Sequence, residues 1–230
     1  MGDIQVEPIH NLFSILESIV DCGAESVDEH YNVGKVIGEG RFSKVYAGSS
    51  KSSGLAIALK EIDIGTLEED EEALEMLEAE VLALRRAGSI DGVVRLHEVV
   101  ACQEAIFLAM ERVPGRELFE LVEERGALDA HLVKLLMQQL LTSLAALADL
   151  GVVHRDVKPE NLMITEADGL APRLTLIDFG YAALLGNGSN GSNGNGNGLL
   201  SGVAGSPEYA APEVLSWLEV EADETGEVQG

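Results

Sequence analysis

Hydrophobic and polar residues follow different spacings in different parts of the chain, and each spacing predicts a different kind of element. Near the start, apolar residues at helical spacing predict a helix over residues 8–20. From Val33 onward the apolar residues instead fall in short runs separated by turns, which is typical of β-strands. These strands are predicted on both sides of a glycine turn at 38–45, and at 55–62, 93–100 and 105–110.

Longer helical patterns accompany these strands. Residues 67–86 predict an acidic helix with one apolar stripe, and residues 132–150 predict a helix with a broad face of leucines. Gly151 is a suitable end for the second helix, because glycine adopts the left-handed conformation that often follows a helix. Short apolar runs at 162–164 and 174–177 predict two more strands.

Charge restricts the partners of the 230-residue chain. Asp and Glu number 40 against 15 Lys and Arg, a formal net charge of −25. A field of this sign repels nucleic-acid phosphates and anionic membranes and attracts cations, so no nucleic-acid partner is predicted. An anionic ligand such as ATP would need local positive charge or metal ions.

Cysteines and hydropathy indicate the compartment. Cys22 and Cys102 form no CxxC pair and no Cys/His zinc spacing, which suits a reducing environment. No run of about 18 apolar residues is present, so no membrane anchor is predicted. The first residues lack the basic and apolar regions of a signal peptide. We expect a cytoplasmic or nuclear protein.

Residues 154–161, His-Arg-Asp-Val-Lys-Pro-Glu-Asn, combine the residue types that phosphoryl transfer requires. Asp156 can accept the proton of an attacking hydroxyl group. Lys158 can neutralise charge on the moving phosphoryl group, and Asn161 can offer its amide oxygen to Mg²⁺. The alternative is an ordinary charged turn between a helix and a strand.

This stretch resembles the catalytic loop of eukaryotic protein kinases, and Lys158 is typical of the serine/threonine type. The order of motifs is similar to that of the calcium/calmodulin-dependent and the plant and algal calcium-dependent kinases. The resemblance implies an α+β, bilobal fold with a small β-rich N-lobe, which contains one key helix, and a mainly helical C-lobe. The implied ranges are a flanking helix at 1–30, the N-lobe at 31–110, the hinge at 111–115 and part of the C-lobe at 116–230.

Within the N-lobe the resemblance implies most of an ATP site. The glycine turn is typical of a phosphate-binding loop, because glycines let backbone N–H groups approach a polyphosphate, although a plain hairpin explains the same pattern. A lysine inside an apolar strand needs an anionic partner. Helical geometry leaves Glu78 and Glu80 open as that partner of Lys60, and the family register selects Glu80. The N-lobe residues implied to bind ATP are Gly38, Glu39, Gly40, Ser43, Val45, Ala58, Lys60 and Glu80.

The remaining implied ATP ligands come from the hinge and the C-lobe. Met110, Glu111 and Val113 resemble the gatekeeper and hinge that hold adenine. Glu117 would face ribose and substrate, although an acid is also favoured in the first turn of a helix by the helix dipole. Met163 would lie under adenine, or is simply a core residue. Asp178, in Asp-Phe-Gly, would bind Mg²⁺ together with Asn161.

Residues 186–198 are almost entirely Gly, Asn and Ser, a composition that predicts a disordered insert in the activation segment. Residues 205–213 resemble the end of that segment, where Ser206 would hydrogen-bond to Asp156 and Lys158. Beyond about Val214 the resemblance ends, and the expectation is a C-terminally truncated domain.

The expected function is ATP- and Mg²⁺-dependent phosphorylation of serine and threonine in protein substrates, with basic residues before the target hydroxyl group. The alternative is a truncated, catalytically weak or inactive kinase-like module that binds nucleotide or a protein partner.

Overall fold

The computed structural model describes residues 12–166, 170–185 and 204–215. The insert predicted at 186–198 lies outside the described residues. The chain divides into two compact units. The first unit comprises Met1–Ser89 and Val94–Val113, and the second comprises Ile90–Val93 and Pro114–Gly230.

The first unit contains a six-stranded sheet with the strand order β1-β5-β6-β4-β3-β2. Its strands are β1 (Cys22–Gly23), β2 (Tyr31–Glu39), β3 (Ser43–Ser50), β4 (Ala56–Asp63), β5 (Leu96–Ala101) and β6 (Ala105–Glu111). All neighbours pair antiparallel except β1 and β5, which are parallel. The strands predicted from 33 to 110 are therefore present. The one predicted from Val93 begins instead at Leu96.

In the described part of this unit, three α-helices accompany the sheet: α1 (Leu12–Ile19), α2 (Ile64–Glu69) and α3 (Glu71–Ala87). The prediction of one continuous helix over 67–86 was wrong. Asp70 has an extended backbone (φ −126°, ψ 103°), and its side chain accepts a hydrogen bond from the Ala73 amide at 3.2 Å. Asp70 therefore caps α3 and separates it from α2. Of the helix predicted at 8–20, residues 8–11 lie outside the described residues.

The core of the first unit is made by the inward faces of the strands and the stripe of α3. Ile106 and Leu108 are fully buried on the face of the sheet that carries Lys60. Val81 and Leu84 are buried on α3. Burying one such Leu or Val side chain is worth about 1.5–3 kcal/mol. This packing fixes how α3 lies on the strands.

The described part of the second unit contains two α-helices with defined bounds, a helical stretch at 212–215 and five short strands. The elements with defined bounds are β7 (Arg116–Glu117), α4 (Leu118–Arg125), α5 (Ala130–Asp149), β8 (Val152–Val153), β9 (Leu162–Thr165), β10 (Arg173–Leu176) and β11 (Ala183–Leu184). Strands β10, β9 and β7 form one small sheet, and β11 pairs with β8. The α+β fold with a β-rich first lobe is confirmed.

Helix α5 begins at its N-cap Asp129, and Gly151 follows it with φ 67°. Three of the predicted leucines, Leu136, Leu140 and Leu147, are buried on the face that lies toward β8 and β10. On another face Val133, Met137 and Leu141 are exposed.

By length and composition alone, α5 is the one helix in the described part of the chain that could cross a membrane. The sequence analysis did not predict this, because the helix contains interspersed polar residues. Core helices of soluble proteins meet the same criterion. Gln139 in its middle donates to the Pro172 carbonyl and accepts from the Leu174 amide, both at 2.9 Å, so polar contacts attach α5 to β10.

Candidate active site

The loop from His154 to Asn161 lies between β8 and β9. Its first residue, His154, is anchored by groups of the second unit. His154 is buried and lies edge-on to Phe179, with ring centroids 4.7 Å apart. Its Nε2 is 3.0 Å from the Ile177 carbonyl, and its Nδ1 accepts from the Asp156 amide at 3.3 Å. Burial lowers the pKa of His154, so the neutral ring donates at Nε2 and accepts at Nδ1.

The backbone of Arg155 has a conformation that few non-glycine residues adopt. Its φ is 65°, in the left-handed region, which costs free energy for a side chain with a Cβ. Its Nε donates to the Tyr181 carbonyl at 2.6 Å, and this contact offsets part of the cost. Strained backbone of this kind clusters at functional sites.

Asp156 is the centre of a small hydrogen-bonded cluster and is only 4% exposed. One carboxylate oxygen accepts from the Ser206 amide at 2.8 Å. The other accepts from Asn161 Nδ2 at 2.8 Å and lies 3.1 Å from Lys158 Nζ. Lys158 also donates to the Ser206 hydroxyl group at 2.7 Å, so the predicted contacts of Ser206 are confirmed.

The cluster favours the charged forms of both of its ionisable groups. Burial raises the pKa of Asp156, but hydrogen bonds from Lys158 and Ser206 outweigh it, and the net pKa lies below the ordinary value. Burial lowers the pKa of Lys158, yet the hydrogen bond to Asp156 and its charge leave the net pKa raised. Asp156 is therefore an ionised acceptor and Lys158 a cation at neutral pH.

Gly205 brings the segment that carries Ser206 against the loop of residues 154–161. Its φ is 93°, and a Cβ placed on it would lie 2.2 Å from the Arg155 carbonyl oxygen. Only glycine allows the two backbones to approach so closely. The contact of Ser206 with Asp156 depends on this approach.

The two candidate metal ligands lie on neighbouring parts of the same unit. The carbonyl of Asn161 accepts from the Ile177 amide at 2.9 Å, and Asp178 directly follows Ile177. Asn161 directs its NH₂ group to Asp156, so its amide oxygen faces away from that carboxylate. Asp178 is exposed and has φ 55°, and Phe179 beside it is completely buried.

In the first unit, Lys60 on β4 forms a close ion pair with Glu80 on α3. Its Nζ lies 2.7 and 2.8 Å from the two oxygens of Glu80, whose side chain is 4% exposed. Of the two acids that the helical pattern left open, the structure places Glu80 on Lys60. Glu78 is half-buried elsewhere on α3.

The glycine turn is a hairpin between β2 and β3. Gly38 pairs with Val45 and Glu39 with Lys44, and the Gly40 amide donates to the Ser43 carbonyl at 2.8 Å. Gly38, Ser43 and Val45 are half-buried, whereas Glu39 and Gly40 are exposed.

The predicted adenine-binding residues of the first unit lie along neighbouring strands. Ala58 on β4 pairs with Met110 on β6. Met110 is buried, Glu111 ends that strand in an exposed position, and Val113 beyond it is half-buried.

Three carboxylates gather near β7 and α4 in the second unit. Glu117 pairs with Met163 across β7 and β9 and precedes α4, but its side chain makes no cap hydrogen bond. Burial, followed by the charges of Glu120 and Glu160, raises the pKa of Glu117. One oxygen of Glu160 is buried and has no hydrogen-bond partner among the described residues. Together, the three carboxylates suit a cationic ligand.

Sequence reasoning missed the main-chain groups that hold the site. The carbonyls of Ile177 and Tyr181 anchor His154 and Arg155, and the Gly92 carbonyl accepts from the Leu176 amide at 2.8 Å. Every residue carries such a carbonyl, so no residue type marks these positions.

Comparisons with known proteins agree with this geometry. Residues 31–227 match the family model described as the protein kinase domain. CBL-interacting serine/threonine-protein kinase 16 of Arabidopsis thaliana is 38% identical over 81% of this chain and 39% of its own length. CBL-interacting protein kinase 16 and putative CBL-interacting protein kinase 27, both of Oryza sativa subsp. japonica, are 38% and 34% identical over 80% and 84% of this chain. The chain spans 38–45% of the length of these three relatives.

Proposed function

We propose, because this chain belongs to the protein kinase domain family, that it transfers the γ-phosphoryl group of ATP to serine and threonine hydroxyl groups of proteins. The observation that carries the proposal is the hydrogen-bonded cluster of Asp156, Lys158, Asn161 and Ser206. A carboxylate, a cation and an amide oxygen in such an arrangement serve phosphoryl transfer to a hydroxyl group.

Each group in the cluster has a distinct task. Asp156 orients the attacking hydroxyl group and accepts its proton. In a largely dissociative transfer, the proton departs from the hydroxyl oxygen late in the reaction. A strong base is not required for this, so a carboxylate with a lowered pKa suffices. Lys158 supplies positive charge beside the transferred group, and Ser206 holds Lys158 in place.

The residues present fit ATP and Mg²⁺. Mg²⁺ prefers carboxylate and carbonyl oxygens, and Asn161 and Asp178 offer one of each. When bound, the metal and nucleotide supply the phosphoryl group and the charge that neutralises it. In the first unit, Lys60 would contact the phosphates. Both oxygens of Glu80 bind its Nζ and so fix the position of the charge.

The direct test of the proposed activity is transfer from γ-labelled ATP to a general protein substrate. Asp156→Asn keeps the shape of the side chain but removes the proton acceptor, and we expect transfer to fall by roughly 10²–10⁴-fold. Asp149→Asn makes the same chemical change at the exposed end of α5 and should leave transfer unchanged. Equal rates in Asp156→Asn and the unmodified chain would overturn the assignment of Asp156.

Nucleotide binding is tested separately by thermal shift. ATP with Mg²⁺ should raise the melting temperature, and Asp178→Asn should remove the part of the shift that depends on Mg²⁺. The same substitution at Asp149 is again the control. A shift by ATP that is indifferent to Mg²⁺ would contradict the proposed metal ligands.

We also propose that the preferred substrates carry Arg or Lys before the target hydroxyl group. Glu117, Glu120 and Glu160 concentrate negative charge beside the catalytic loop, and the raised pKa of Glu117 reflects burial and these neighbouring charges. The buried oxygen of Glu160 offers an acceptor for a guanidinium group.

A further inference from the structure

Three side chains with metal-binding atoms lie together in the first unit, away from the residues assigned above. Cys22 lies on β1, His30 directly precedes β2, and Glu98 lies on β5. One ligand atom of each lies within 4.8 Å of the other two. His30 Nδ1 is 3.7 Å from one oxygen of Glu98, and Cys22 Sγ is 3.9 Å from the other.

The spacing and chemistry of this cluster suit zinc. Bond lengths of about 2.0–2.3 Å in a tetrahedral site place neighbouring ligand atoms roughly 3.3–3.5 Å apart. The three ligand atoms lie within 4.8 Å of one another, so side-chain rotations that bring them closer would let them reach one ion. Thiolate, imidazole and carboxylate together favour zinc-class ions, whereas Mg²⁺ and Ca²⁺ select oxygen ligands alone.

An outer layer of contacts holds the candidate ligands. The buried hydroxyl group of Tyr31 donates to Glu98. Asp21, directly before Cys22, accepts from the Val99 amide at 2.7 Å, so it attaches the strand of Cys22 to the strand of Glu98. Ligating carboxylates characteristically receive such hydrogen bonds from outer residues. The three candidate ligands are half-buried, so an ion can reach them from solvent.

We propose that Cys22, His30 and Glu98 bind a divalent ion of the zinc class, with water in the fourth position. On binding, the Cys22 thiol loses its proton to solvent and a sulfur–metal bond replaces the S–H bond, so thiolate and carboxylate balance the charge of the ion. Cys22 and His30 precede residue 31, where the kinase match begins. The ion would therefore attach the preceding segment to the kinase sheet.

Without an ion, the Cys22 thiol donates a hydrogen bond to one oxygen of Glu98, and His30 Nδ1 lies 3.7 Å from the other oxygen. Co²⁺ distinguishes the two arrangements, because thiolate ligation gives a charge-transfer band in the near ultraviolet. We expect this band in the unmodified 230-residue chain and in Cys102→Ser, and its loss in Cys22→Ser. Absence of the band, or its loss in Cys102→Ser with retention in Cys22→Ser, would overturn the site.

A measurement on the unmodified chain makes the test independent of how the variants fold. With Zn²⁺ present, alkylation of Cys22 by iodoacetamide should be suppressed and that of Cys102 should continue, as read by peptide mass spectrometry. Equal alkylation of Cys22 with and without Zn²⁺ would overturn the proposal.

The other ligands are tested by competition with a chromophoric zinc chelator. His30→Asn and Glu98→Gln should weaken Zn²⁺ binding at least about tenfold, and Tyr31→Phe should weaken it roughly 10–100-fold through loss of the outer hydrogen bond. His97→Asn, at an exposed position on β5, is the matched control and should bind normally. Unchanged affinity in His30→Asn or Glu98→Gln contradicts the ligand set.

Discussion

At the scale of single residues, Asp156 shows how neighbouring groups decide the chemistry of one carboxylate. Burial alone would favour its protonated form, whereas Lys158 and Ser206 together favour the ionised form and prevail. Since the folded-state pKa lies below the ordinary value of about 3.9, ionised Asp156 stabilises the folded chain above that pH. The stabilisation is lost as the pH falls through the folded-state pKa.

Replacing Lys158 with methionine removes a hydrogen bond and a positive charge while burial remains. The pKa of Asp156 should therefore rise, as measured by its carboxyl ¹³C shift against pH, and the loss of stability on acidification should become smaller. Lys134→Met, at an exposed position on α5, is the control. A pKa of Asp156 that stays the same or falls in Lys158→Met would show that Lys158 does not set it.

Gly205 offers a second test at this scale, because two effects of adding a Cβ can be separated. Gly126 has φ 72° and open space where a Cβ would lie, so Gly126→Ala tests backbone strain alone, at about 1–2 kcal/mol. Gly205→Ala adds a collision with the Arg155 carbonyl. We expect it to lower the free energy of unfolding further and to abolish phosphoryl transfer, measured by urea unfolding and labelled ATP. If both variants lowered the free energy of unfolding and phosphoryl transfer equally, the collision would make no contribution.

At the scale of elements, α3 matters because it carries Glu80 to Lys60, and Asp70 decides where it begins. Asp70→Ala removes the hydrogen bond to the Ala73 amide and should lower the free energy of unfolding by about 0.5–2 kcal/mol. Amide exchange should also become faster in the first turn of α3. Glu69→Ala changes the exposed residue next to the cap and should have a smaller effect. An equal loss in both variants would argue against capping.

At the scale of the whole molecule, the net charge of −25 attracts cations, and the carboxylates near β7 and α4 are where the proposed preference for basic substrates would act. A peptide with Arg two or three residues before its serine should have a higher kcat/KM than its Glu counterpart. Glu160→Gln should reduce the ratio of kcat/KM for the Arg peptide to kcat/KM for the Glu peptide at least about tenfold. Glu123→Gln, exposed on α4, is the control. Preference for acidic peptides, or a ratio that survives Glu160→Gln, would refute the proposal.

Most of the longer elements and the order of the motifs were predictable from the sequence. Strands and helices differ in hydrophobic period, which is a local property, so the strands of the first unit and helix α5 were predictable. The candidate catalytic residues lie in one continuous stretch at 154–161, so the chemistry proposed for them was readable from residue type and spacing. The break at Asp70 was hidden, because its acidic neighbours also suit a helix.

Which distant residues meet was visible only from the packing of the strands and helices. The helical pattern left Glu78 and Glu80 open and only the family resemblance implied Glu80, whereas the packing of α3 on the sheet places Glu80 on Lys60. Cys22 and Glu98 are far apart in sequence, and no zinc spacing connects them, yet the parallel pairing of β1 with β5 brings them together. Such contacts depend on strand order and helix packing, which hydrophobic spacing within one segment does not encode.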